Sequence, residues 1–103
     1  MTTKTLTTPT VHLNGTSVTD LLDGYRAAVE ALDAALHALQ VTAPHGRDYY
    51  VQPSTKDGRP ALVAAQDEHL ARVARLEDVR DELLALWVAV DAQEQERTAR
   101  RRF

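Results

Sequence analysis

Residues 18–41 read VTDLLDGYRAAVEALDAALHALQV, and their spacing decides the fold. Val18, Tyr25, Leu32 and Leu39 recur every seven residues. Leu21, Ala28 and Ala35 follow three positions later in each heptad, and Leu22, Val29 and Leu36 four later. A sustained seven-residue apolar repeat makes one broad stripe on an α-helix and suits packing along a second helix. The alanines in the middle of the stripe let that second helix approach closely. Gly24 costs about 1 kcal/mol relative to alanine, and the pattern survives it. Upstream, Thr16 or Ser17 can cap the helix, with Asp20 three residues after Ser17 in the manner of a capping box. Asp20 and Asp23 suit the positive end of the helix dipole. Pro44 and Gly46 end the helix, so the spacing predicts a helix over 18–41.

Downstream, Pro60 is placed as the first residue of a second helix, which runs to about Thr98. Its seam carries Leu62, His69, Leu76, Leu83 and Val90 at one heptad position and Val73 and Trp87 at another. Leu70 and Leu84 widen the seam, whereas Gln66 and Arg80 interrupt it. The connection, residues 43–59, is 17 residues long. The chain therefore reads as all-α, an antiparallel helical hairpin. Residues 1–9 read as a disordered polar arm, 10–92 as the hairpin domain, and 93–103 as a helix end with a basic tail.

Helix lengths raise a packing problem. The first helix is about 36 Å long and the second about 57 Å. If pairing starts at the beginning of the second helix, cover ends near residue 84, and Trp87, Val88 and Val90 stand bare. An uncovered apolar stretch of that size marks an interface. Either residues 10–17 fold back over it or a second subunit does, and the second subunit is the expectation. The expected interface is Val11, Leu13, Leu83, Leu84, Trp87, Val88 and Val90, in a homodimer or larger oligomer. Residues 10–14 alternate apolar and polar as a half-buried strand does, with a turn at Asn14-Gly15. Residues 49–52 form the other strand candidate. A rod one helix long separates them, so they pair only between chains, as a minor two-stranded β element.

Bulk properties narrow the function. A chain of 103 residues is one domain with a modest core. There is no cysteine, hence no disulfide framework and no thiolate chemistry. The longest apolar run, residues 83–90, is far short of the roughly 20 residues a membrane span needs. The threonine-rich start has no apolar core of a signal peptide, and a cytoplasmic location is expected. Net charge is −3, unevenly spread. Residues 1–92 hold 8 Lys/Arg against 13 Asp/Glu, so the body is a poor nucleic-acid binder. Only Arg97, Arg100, Arg101 and Arg102 could contact nucleic acid, and helix C-termini favour cations in any case.

The connection holds the most unusual chemistry: His45-Gly46-Arg47-Asp48-Tyr49-Tyr50-Val51-Gln52-Pro53, then Lys56 and Arg59. Connections this long are often functional. Arginine offers bidentate donors to phosphate or carboxylate, and tyrosine offers a stacking face and a hydroxyl. Arg47, Asp48, Tyr49, Tyr50, Lys56 and Arg59 are thus the candidate ligand site, for a nucleotide-like anion or a protein. The competing structural reading pairs Arg47 with Asp48 and packs Tyr49 and Val51 on the helices. No glycine-rich phosphate cradle is present. His12, His37, His45 and His69 have no metal-site spacing, and His69 on the seam reads as a core histidine. His45, Asp48 and Ser54 or Thr55 lack the nucleophile elbow of a hydrolase. Arg80 either anchors Asp33 or Glu30 or lies at the seam's edge with its head in water. No catalytic residue, metal or cofactor is expected.

The motif His12-Leu13-Asn14-Gly15-Thr16-Ser17, then a leucine-rich helix, then Gly46-Arg47-Asp48-Tyr49-Tyr50-Val51-Gln52, resembles a largely uncharacterised group of small tailed-phage proteins. The resemblance spans roughly residues 10–90. Residues 53–59 look like a local insertion. It implies a phage origin, an accessory role in the host cytoplasm and no established catalytic residues. The expectation is a non-enzymatic binding protein, one that sequesters a phosphate-bearing host molecule such as a nucleotide immune signal. The alternative is an interaction module that docks on a host or virion protein through its second helix.

Overall fold

The computed structural model describes residues 5–101, so residues 1–4 of the polar arm and Arg102 and Phe103 of the basic tail lie outside it. Helix α1 spans Val18–Leu39 and helix α2 spans Ala61–Arg101. The Ser17 Oγ accepts the Asp20 N–H at 3.1 Å, which satisfies one of the orphan donors of the α1 terminus. α1 tightens into a 3₁₀ turn at Gln40–Thr42, where the Thr42 hydroxyl donates to the Leu39 carbonyl. A second 3₁₀ turn, Gly46–Asp48, lies within the connection. Pro60 is not the first helical residue but the one before it. Its carbonyl accepts the Ala64 N–H at 3.1 Å, the first bond of α2.

The two helices run antiparallel, in a register that differs from the expected one. Asp33 is ion-paired with Arg80. Seven residues earlier, Arg26 lies over the ring of Trp87, seven residues later, at 5.8 Å from its centroid. In that register Val18 falls opposite about residue 95 and Leu39 opposite about residue 74. A groove lined by Ala35, Leu39, Arg72 and Leu76 marks the second end. Helix α1 therefore covers the C-terminal half of α2, not its beginning. Trp87 is half-buried and Val90 is 0 % exposed within the single chain. Their cover needs no second subunit, which corrects the packing argument made from helix lengths.

The connection, residues 43–60 because Pro60 precedes α2, need not turn back at once. It can lie along the first ~20 Å of α2, about 13 residues of helix. Gly46 sits against this stretch, where an added Cβ would stand 3.8 Å from a Leu62 methyl. Ala64 and His69 are buried there, beyond the reach of α1. Gly58 adopts φ +83°, a left-handed conformation open to glycine at little cost, and it closes the turn that leads into α2, donating to the Thr55 carbonyl at 2.9 Å.

Neither strand candidate is a strand; no strand occurs among the described residues. At residues 49–52 the chain turns. Tyr49 and Tyr50 both donate to the Gly46 carbonyl, and the Gln52 N–H donates to Tyr49, which uses the backbone groups a ladder would need. At residues 10–14 the Val11 N–H is taken by the Gln93 side chain at 2.8 Å. The turn expected at Asn14-Gly15 is present, with Gly15 donating to the His12 carbonyl at 3.1 Å. A Cβ at residue 15 would stand 2.9 Å from the His12 ring, so the exposed imidazole would have to swing aside for any other residue.

The interior is thin. Among the described residues, Val29, Ala64 and Val90 are the buried hydrophobic ones and His69 is the buried polar one. The molecule measures 70 × 27 × 21 Å, with a radius of gyration of 20.6 Å, against about 13 Å for a compact chain of this length. Its accessible surface is 8002 Å², whereas a compact 11.4 kDa protein exposes about 5,800 Å².

Candidate functional site

Two surfaces compete, the connection and the outer side of α2. In the connection, the His45 Nδ1 accepts the Arg47 N–H at 3.3 Å and so caps the 3₁₀ turn. This leaves the side chains of Arg47 and Asp48 exposed at its rim. Tyr49 is half-buried, and Tyr50 next to it is 79 % exposed. Lys56 is exposed. Arg59 is held between two carboxylates, bonding Asp57 at 3.0 Å and Asp67 on the second turn of α2. The Thr55 hydroxyl donates to the same Asp57. That bond, helped by Arg59, pulls the Asp57 carboxyl below the usual carboxylate range. Arg59 is therefore a brace for the turn before α2, and its charge is matched where it stands. The exposed members of the expected site are Arg47, Asp48, Tyr50, Lys56 and the ion-paired Arg59.

On α2, the residues expected at an oligomer interface divide. Val90 is enclosed, and Leu83 and Trp87 are half-buried against the rest of the chain. Val11 is half-buried, with its amide on Gln93. Leu13 is almost fully exposed on its turn, and Leu84 and Val88 face out from α2. One residue missed by sequence reading and one assigned to the seam extend this outer side. Val63 is exposed, and Leu70, read as a widening of the seam, is 64 % exposed. Val63, Leu70 and Leu84 stand at one heptad position of α2, the seven-residue interval being broken only by Glu77. The signal was available, since a heptad column adjacent to the seam is apolar at three of its first four positions, Val63, Leu70, Glu77 and Leu84. It was overshadowed by the stronger seam beside it.

A groove of about 470 Å³ lies at one end of this column, lined by Arg26, Val29, Glu30, Leu84 and Trp87. Inside the fold, Trp87 Nε1 and His69 Nδ1 are enclosed without a hydrogen-bond partner, each at a cost of about 1–3 kcal/mol. Arg80 answers both of its readings. It pairs with Asp33 and reaches Asp81 at 3.5 Å, while a third of its side chain stays in water. The hydrogen bond that Arg80 donates to Asp33 raises its pKa above the ordinary guanidinium value. Among the described residues no group of three or more His, Asp or Glu side chains could hold a metal ion. None of the described helices is long and apolar enough to cross a membrane.

No protein-family model matches this chain, and neither the curated proteins nor the solved structures contain a match to it.

Proposed function

We propose that this chain is a non-enzymatic binding module, a helical hairpin that offers the outer side of α2 to a partner protein. One observation carries the reading. Leu70 is 64 % and Val88 is 59 % exposed on an ordered helix, in line with Val63 and Leu84. A row of large aliphatic side chains in water marks an interaction surface rather than a solvated face. The resemblance of the two turn motifs to small tailed-phage proteins fits an accessory factor acting inside a host cell.

Affinity capture with purified protein tests it. Wild-type protein and a Tyr50→Ala variant should retain the same stoichiometric partner, and a Leu70→Glu/Val88→Glu variant of unchanged helicity should lose it. Capture unaffected by the double substitution contradicts the reading.

The sequestration of a phosphate-bearing small molecule by the connection is the second reading. It rests on Arg47 and Tyr50, a donor fork and an aromatic face exposed within three residues of each other. Calorimetry against cyclic and linear nucleotides tests it, with heat abolished by Arg47→Ala as the supporting result. Self-association, as a homodimer or larger oligomer, draws support from the surface of 8002 Å², roughly 2,000 Å² above that of a compact chain.

A further inference from the structure

The exposed side of α2 is patterned by charge as well as by apolarity. Two heptad columns make it up. Val63, Leu70, Glu77, Leu84 and Asp91 form one, and Asp67, Ala74, Asp81, Val88 and Gln95 form the other, four residues on. The face thus has two apolar patches, Val63/Leu70 flanking the Arg59-paired Asp67 and Leu84/Val88 ahead of Asp91 and Gln95, with Glu77 and Asp81 between the patches. Leu70 and Leu84 are 14 residues apart, or about 21 Å along the axis. Arg80 faces Asp33, Glu77 and Asp81 together, and Arg75 shares a shallow depression with Glu77, Asp78 and Asp81. Two guanidinium groups stand against four carboxylates, so the centre keeps an excess of negative charge. Glu30 adds a carboxylate to the adjoining groove, where Arg26 is drawn over the Trp87 ring.

This pattern discriminates between occupants. A second copy laid antiparallel to match Leu70 with Leu84 would set Glu77 against Glu77. A parallel copy in register would oppose both Glu77 and Asp81 to themselves. Like charges brought together at an interface cost several kcal/mol, which the short apolar patches would have to overcome. A cationic partner turns the same centre into an attraction and gains on-rate from it.

We propose that the partner of this face is an amphipathic α-helix of another protein, apolar at two sites about four turns apart and carrying Lys or Arg midway between them. The proposal rests on the reading of α2 as a docking surface and adds the chemistry of what docks. An amphipathic helix lays i, i+3, i+4 and i+7 anchors along such a face. Its anchors meet Val63/Leu70 and Leu84/Val88, and its central cation meets Glu77 and Asp81.

Two helix-favouring peptides of about 20 residues test it, with identical leucine anchors and either lysine or glutamate at the centre. Fluorescence anisotropy with the full chain should show the lysine peptide binding at least about tenfold more tightly, a preference that shrinks with added salt. Glu77→Lys/Asp81→Lys should invert the preference, with circular dichroism unchanged, and Leu70→Glu should abolish binding of both peptides. Equal binding of the two peptides overturns the charge assignment while leaving the docking surface standing. Binding of neither, or binding indifferent to Leu70→Glu, overturns both. A dimer in light scattering that Leu70→Glu converts to single chains overturns the proposal in favour of a second copy.

Discussion

Gln93 grips Val11. Its Oε1 accepts the Val11 N–H at 2.8 Å while its Nε2 donates to the Pro9 carbonyl at 2.7 Å. One side-chain amide thus satisfies a donor and an acceptor of the extended segment that precedes α1. The arm is tied to the same helix that α1 covers.

Replacing that amide should free the segment and spare the helices. Gln93→Ala is expected to lower Tm by roughly 5 °C, the effect of about 1 kcal/mol in a domain of this size. The sharper readout is hydrogen exchange, which should accelerate at the Val11 amide and stay unchanged in α1.

Val90 and Val88 are neighbours on α2 with opposite environments, 0 % and 59 % exposed. Val90→Ala removes two buried methyl groups and leaves a cavity, a loss of about 2 kcal/mol. Val88→Ala should stay within about 0.5 kcal/mol. Denaturant melts of the two variants check the pair, and equal losses would mean that α1 does not reach this part of α2.

Asp33 and Arg80 fix the register of the hairpin at its middle. A double-mutant cycle with Asp33→Ala and Arg80→Ala should show favourable coupling at low salt. The coupling should fade as salt is added, because both side chains are partly in water.

Asp57 gives the connection a pH dependence of defined sign. Its folded pKa lies below the ordinary carboxylate value, first through Thr55 and then through Arg59. A depressed pKa adds stability that is fully present above the unfolded pKa and lost as pH falls through the folded one. The carboxyl carbon of Asp57, followed by NMR, should titrate below a normal aspartate, and Thr55→Ala should move its midpoint upward. A midpoint unchanged by Thr55→Ala would contradict the arrangement.

Both helices and the Ser17 cap are legible in the heptads and in the serine–aspartate spacing. The register is not. A connection of this length has enough reach to lie along α2, and no local rule says whether it will. That choice moves the cover of Trp87 and Val90 from a second subunit to α1. The strand candidates failed for a similar reason. Alternation at residues 10–14 is real, but a glutamine 82 residues away takes the Val11 amide, and adjacent tyrosines at residues 49 and 50 are committed to a turn by Gly46. Arg59 looked like an anion ligand because its two carboxylates, Asp57 and Asp67, lie on either side of a turn whose geometry sequence does not give.

The register of the hairpin sets Trp87 against Arg26 and Val29 in α1 of its own chain. An isotope-filtered NOE experiment on a mixture of labelled and unlabelled protein tests this directly, because it separates contacts within a chain from contacts between chains. The prediction is NOEs from the Trp87 ring to Arg26 and Val29 that are entirely intramolecular. Intermolecular NOEs to Trp87 or Val90 would contradict it.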